Sequence, residues 1–85
     1  MEYRELGRTG LRVSEIGLGC EGFVGKTEEE TQALMTQAVE AGVNCMDLYT
    51  PDPDLRSRVG RALRGRREQF VLQALLCTVW QNGQY

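Results

Sequence analysis

An acid and a phenol two residues apart, Asp47 and Tyr49, are the residues of this sequence whose types and spacing best suit chemistry. A carboxylate that organises a site and a phenol that gives up a proton are the parts of an acid-catalysed step. Strand residues two apart share a face, so a strand running past Leu48 would project both together, with backbones roughly 6 to 7 Å apart. A donor phenol also needs a positive charge nearby to lower its pKa, and the one lysine, Lys26, lies far back in the chain. Two plainer roles stand beside this one: Asp47 as a helix cap or loop-anchoring acid, and Tyr49 as a strand-end tyrosine with its hydroxyl in solvent.

Two phosphate-binding patterns share one loop. Gly17-Leu18-Gly19-Cys20-Glu21-Gly22 matches G-x-G-x-x-G, with Asp47 about where a dinucleotide fold places its ribose acid. In that motif the third glycine lies in the opening turn of a helix, whereas here Phe23, Val24 and Gly25 intervene before the cap at Thr27. Gly25-Lys26-Thr27 looks like the end of a P-loop, but Cys20 stands where the first glycine is required, and its side chain would intrude where bare backbone must wrap phosphate. A nucleotide hydrolase is therefore a distant third reading. Arg56 to Arg67 carries six arginines and no acid. No aromatic residue interleaves to stack on bases, so the stretch reads as a solvated helix face and no nucleic-acid partner is expected.

These residues need elements to position them. Glu2 to Leu6 and Leu11 to Val13, joined by the turn-like LGRTG, predict a β-hairpin. Ser14 to Gly19 reads as a short strand ending in the glycine-rich loop 19–25. Thr27, followed by three glutamates with Glu30 at the third helical position, predicts a capping box and a helix over 27–41, its apolar stripe made by Leu34, Met35, Ala38 and Val39, with Gly42 as the stop. Val43 to Leu48 reads as a buried strand. Asp52 before Pro53 predicts a cap and a second helix over 54–64 with Leu55, Val59, Ala62 and Leu63 inward. Phe70 to Leu76 reads as a third buried strand, and 77–85 are unassigned. Strands covered on both faces and alternating with amphipathic helices imply parallel β-α units, an α/β fold.

The 85 residues are 41% hydrophobic and 26% charged with a net charge of −2. That balance gives no pull toward nucleic acid or membrane, and no apolar run approaches the ~20 residues of a span or the core of a signal peptide. A cytoplasmic protein is expected. Cys20, Cys45 and Cys77 are odd in number and widely spaced, and histidine is absent, so reduced thiols and no metal site are expected. The outer strands would be left with unpaired edges, through which the chain could self-associate.

The opening YRELGRTGLRVSEIGLG, with TEEE, EAGVNCMD, VGRAL and FVLQ following in order, resembles the aldo-keto reductases over nearly the whole chain. The resemblance implies the N-terminal portion of a (β/α)8 barrel, a hairpin closing its bottom and about three β-α units, in one incomplete domain over 1–85. A whole barrel needs ~250 residues and supplies the distal cofactor contacts, so the chain alone is expected not to oxidise NADPH, and with Cys20 interrupting the P-loop it is expected not to hydrolyse ATP. GCEGFVG and LYTPDPDLRS are similar to a subgroup whose longer members often add an iron-sulfur module. The family reduces a small-molecule carbonyl with NADPH, using an aspartate, a tyrosine, a lysine and a histidine. Only the aspartate carries over, as Asp47. The tyrosine lies about five residues on, at Asp52 here; the lysine's place falls at Ala74 and Leu75; the histidine falls beyond Tyr85. Gly19, Cys20 and Asp47 are the implied cofactor contacts in this segment, with most phosphate and adenine contacts coming from the last two strands. Without the tyrosine and lysine, a non-catalytic binding or accessory protein derived from the same barrel is the alternative.

Overall fold

A computed structural model describes residues 1–50, 52–75 and 82. The chain opens with an antiparallel hairpin, β1 (Tyr3–Glu5) against β2 (Arg12–Ser14), as the LGRTG turn predicts. A separate sheet of three parallel strands comes next, in the order β3 (Leu18–Gly19), β4 (Cys45–Asp47), β5 (Val71–Gln73). Helices α1 (Glu28–Glu40) and α2 (Pro53–Ala62) connect them. The α/β class and the parallel β-α units are those expected from the sequence.

Local chemistry accounts for both helix starts. The Thr27 hydroxyl accepts from the Glu30 amide at 3.0 Å while the Glu30 carboxylate accepts from the Thr27 amide at 2.9 Å, so both orphan donors are satisfied. Asp52 caps α2 by accepting from the Asp54 amide at 3.0 Å, with Pro53 in the first turn.

The helices cover one face of the sheet. Leu18, Met46 and Leu72 lie side by side in the strand register and pack toward a core of Cys20, Phe23, Met35, Leu55, Val59, Ala62, Leu63 and Phe70. The expected α2 stripe is buried in full. On α1 the stripe is narrower than expected: Met35 and Ala38 are buried but Leu34 is exposed, and Thr31 takes a core place instead, its hydroxyl donating to the Thr27 carbonyl at 2.8 Å.

Three expectations change. Ser14 belongs to the hairpin rather than to β3, because it pairs with Tyr3 and its hydroxyl donates to the Ile16 carbonyl at 2.7 Å, turning the chain before β3 begins. The strands are covered on one face only: Cys45 and Asp47 are half-buried and Gln73 is exposed on the other. Strand pairing over 70–76 is confined to Val71–Gln73, and Leu76, Cys77 and most of the tail lie outside the described residues.

The hairpin is fastened beneath the N-terminal end of β4. Asn44 accepts from the Ser14 amide at 2.7 Å, donates to the Arg12 carbonyl at 2.8 Å, and its own amide donates to the Ser14 hydroxyl at 3.2 Å. The Tyr3 hydroxyl donates to the Gly42 carbonyl at 2.7 Å. Gly42 has φ +87°, and a Cβ there would stand 2.8 Å from that hydroxyl, so the turn from α1 into β4 requires glycine on two counts.

Candidate active site at the strand ends

Side chains alternate along each strand, so the residues immediately after Leu18, Met46 and Leu72 face away from the helices. They are Gly19, Asp47 and Gln73, which pair across the sheet in one row. The strands are parallel, so this row lies at the C-terminal ends of all three. Below it an open concavity of about 680 Å³ is lined by Cys45 and Val71 from the sheet, by Gly17 just before β3, and by Leu6, Leu11 and Val13 from the hairpin side. A wall of apolar side chains with one carboxylate at its rim is a surface for a ligand with an apolar body and a polar edge.

Asp47 ends its strand and sets the direction of the chain beyond it. The Leu48 amide gives the last rung of the ladder to the Gln73 carbonyl at 2.9 Å, and one Asp47 carboxylate oxygen then accepts from the Tyr49 amide at 2.7 Å. This short Asx-type bond turns the chain out of the sheet. The strand therefore does not run past Leu48, and the condition under which Asp47 and Tyr49 would share a strand face is not met. Tyr49 lies on the turn, 46% exposed, tied to Asp47 through its main chain. The loop-anchoring role of Asp47 is present whether or not its other oxygen meets a ligand.

Gly19 borders open space: a Cβ built there has no atom within 4 Å. Cys20 is different. Its side chain is fully buried, with Sγ 3.8 Å from the Met46 sulfur on the helix side of the sheet. It can meet a ligand at the row only through its main chain. Burial, and secondarily the charge of Asp47, push the Cys20 thiol up to about 11 from 9.0. Between those values the unfolded chain has lost the proton that the folded chain keeps, so this group's contribution to stability falls as pH rises from 9 to 11. Alkylation of the native chain at pH 8, with sites mapped by mass spectrometry, is expected to mark Cys45 well before Cys20. Equal labelling would show that Cys20 is not buried among the core residues.

The arginine run is solvated at Arg61, Arg64 and Arg67, as expected, while its half-buried members tie the helix to its surroundings. Arg58 donates to the Phe23 carbonyl at 3.2 Å, Arg56 to the Thr50 carbonyl at 2.6 Å, and Arg66 to the Thr36 hydroxyl at 2.9 Å. Arg61 pairs with Glu28, whose carboxyl it holds below the usual range chiefly by hydrogen bonding. The complementary signal was in the sequence, since the acid-free basic stretch 56–67 comes after a helix that opens with three glutamates. The family positions are clear as well: Asp52 is the α2 cap, Ala74 is exposed and Leu75 half-buried.

No protein-family model matches the chain. Among curated proteins it is 33% identical over 87 residues to the uncharacterised oxidoreductase YqkF of Bacillus subtilis strain 168, covering 98% of this chain and 28% of the relative. It is 46% identical over 48 residues to the uncharacterised oxidoreductase YrpG of the same organism, covering 55% of this chain and 15% of the relative. Among solved structures, a chain from Pseudomonas aeruginosa described as "the putative aldo-keto reductase" superposes with a TM-score of 0.79 and 33% identity, over 96% of this chain and 33% of that one. A second chain described in the same terms gives 0.73 and 35%, over 85% of this chain and 30% of that one. The chain thus spans about a third or less of the relatives it matches. In both sequence and fold the chain is similar to these aldo-keto reductase structures over about a third of their length.

Proposed function

We propose that this segment forms one side of the active site of a carbonyl reductase that uses NADPH on a small-molecule substrate, with residues 1–85 as a partial (β/α)8 domain. The observation that carries the reading is the row of Gly19, Asp47 and Gln73 at the C-terminal ends of adjacent parallel strands, the end at which barrel enzymes assemble their sites. NADPH would supply the hydride. The open ground at Gly19 suits a flat ring, so Gly19, the Cys20 main chain and Asp47 would border the nicotinamide. In this reading Asp47 orients the bound groups and Tyr49 delivers the proton to the carbonyl oxygen. The likeness of LYTPDPDLRS to the iron-sulfur subgroup supports placing the parent there. A cytoplasmic location is in keeping with the absence, among the described residues, of a helix long and apolar enough to cross a membrane.

The test joins residues 1–85 to the remainder of YqkF in place of its aligned segment, with carbonyl-dependent NADPH oxidation monitored by absorbance. Turnover is expected, and Asp47→Asn is expected to lower it roughly tenfold, the rate equivalent of one charge-assisted hydrogen bond. A folded chimera inactive on a panel of aldehydes and ketones that YqkF itself reduces would overturn the reading. A second reading, a binding or accessory barrel without catalysis, is favoured by Asp52, which is occupied as a helix cap where the family has its tyrosine. That protein would bind NADPH without consuming it. The outer edges of β3 and β5, unpaired among the described residues, would support self-association of the isolated segment.

A further inference from the structure

Arg56 stands in the first turn of α2, where a cation opposes the helix dipole. It is also half-buried, which adds a desolvation cost. A residue that breaks two local preferences needs a compensating partner, and the partner is the Thr50 carbonyl, 2.6 Å from its guanidinium. Thr50 is 2% exposed, and its hydroxyl accepts from the Asp52 amide at 3.1 Å. Thr50 comes directly after Tyr49, whose amide is bound to the Asp47 carboxylate. Beyond the Leu48 rung to Gln73, the described residues between strand end and helix cap are therefore held by three bonds. Two of those bonds are made within the stretch itself, and Arg56 supplies the third from outside, as its charged donor.

Resting on the reading of Asp47 as the site acid, we propose that Arg56 is a positioning residue of the strand-end site: from α2 it grips the Thr50 carbonyl and so fixes where the Asp47–Tyr49 turn sits at the rim. It acts through the main chain and touches no ligand. A lysine would carry the charge as a compact point, whereas the planar guanidinium reaches the carbonyl with a fixed donor geometry.

Amide hydrogen exchange on the 85-residue chain tests the grip. Arg56→Ala is expected to speed exchange of the Tyr49 amide tenfold or more while leaving the Glu30 amide, bound in the α1 cap, unchanged. Arg56→Lys is expected to recover part of the protection, and Arg64→Ala, at an exposed site, to change neither amide. In the chimera, Arg56→Ala is expected to lower kcat about tenfold with KM for the carbonyl within twofold. Unchanged Tyr49 exchange, equal acceleration at Glu30, or a loosened Tyr49 amide with full kcat would each overturn the proposal. A wild-type chimera without turnover would overturn the functional reading alone, and the Tyr49 and Glu30 amides would still decide whether Arg56 sets the turn.

Discussion

In a barrel completed around this segment, Tyr49→Phe is expected to lower carbonyl reduction a hundredfold or more while leaving NADPH affinity unchanged. Phenylalanine keeps the ring and removes only the proton, so the comparison isolates general acid catalysis, which contributes roughly 10²- to 10⁴-fold. Tyr49 is the described phenol nearest in sequence to Asp47, and its exposure leaves the ring free to follow a bound substrate. The main-chain bond to Asp47 keeps it at the rim although the strand has ended. A donor phenol still needs a cation to stabilise its conjugate base. Arg56 is committed to the Thr50 carbonyl, so in this proposal the charge comes from elsewhere in the completed barrel. The pH profile of kcat, set beside the variant's rate, reads this directly. Undiminished turnover in Tyr49→Phe would eliminate Tyr49 as the donor and return it to the role of a solvent-facing tyrosine.

The elements with self-contained signals were legible in the sequence. Thr27 with Glu30, and Asp52 with Pro53, announce their helices because a cap satisfies donors within a few residues and needs no tertiary partner. The parallel sheet was legible because short apolar strands alternated with amphipathic helices. Features that depend on distant partners were not. Ser14 fits either strand by its sequence, and its place in the hairpin shows only in its pairing with Tyr3 and in its bond to Asn44, 30 residues away. Leu34 fits the helical stripe, but it is exposed while Thr31, Met35 and Ala38 take the core places. The place of Asp47 at a strand end could be inferred, since Thr50, Pro51 and Asp52 mark a turn just beyond it. That its carboxylate would end the strand by binding the Tyr49 amide could not, because aspartate serves equally as ligand, cap and turn former.

Asn44→Ala is expected to destabilise the chain by about 2 to 3 kcal/mol and to free the hairpin before the sheet. The side chain makes two hydrogen bonds at once, accepting from the Ser14 amide and donating to the Arg12 carbonyl. Ser14 is 4% exposed, so its amide, left without the Asn44 oxygen, has little water to turn to and carries the larger share of that cost. The Arg12 carbonyl is exposed and is rehydrated cheaply. The Asn44 main chain keeps its own bonds, donating to the Ser14 hydroxyl and accepting from the Val71 amide at 2.7 Å, so β4 and β5 stay paired. Hydrogen exchange should therefore accelerate at the hairpin amides of Leu6 and Glu15 well before the Leu48 amide that closes the parallel sheet. Asn44→Asp keeps the acceptor for Ser14 and loses only the donor to the exposed Arg12 carbonyl, so clearly less than half the destabilisation is expected. Urea unfolding gives the total. A shift under about 0.5 kcal/mol, or equal acceleration at Leu6 and Leu48, would mean that the Tyr3 bond to Gly42 and apolar packing hold the hairpin without Asn44. The functional stake is the floor of the concavity: Leu6, Leu11 and Val13 line it from the hairpin, so a hairpin set loose opens the apolar wall beneath the row that carries Asp47.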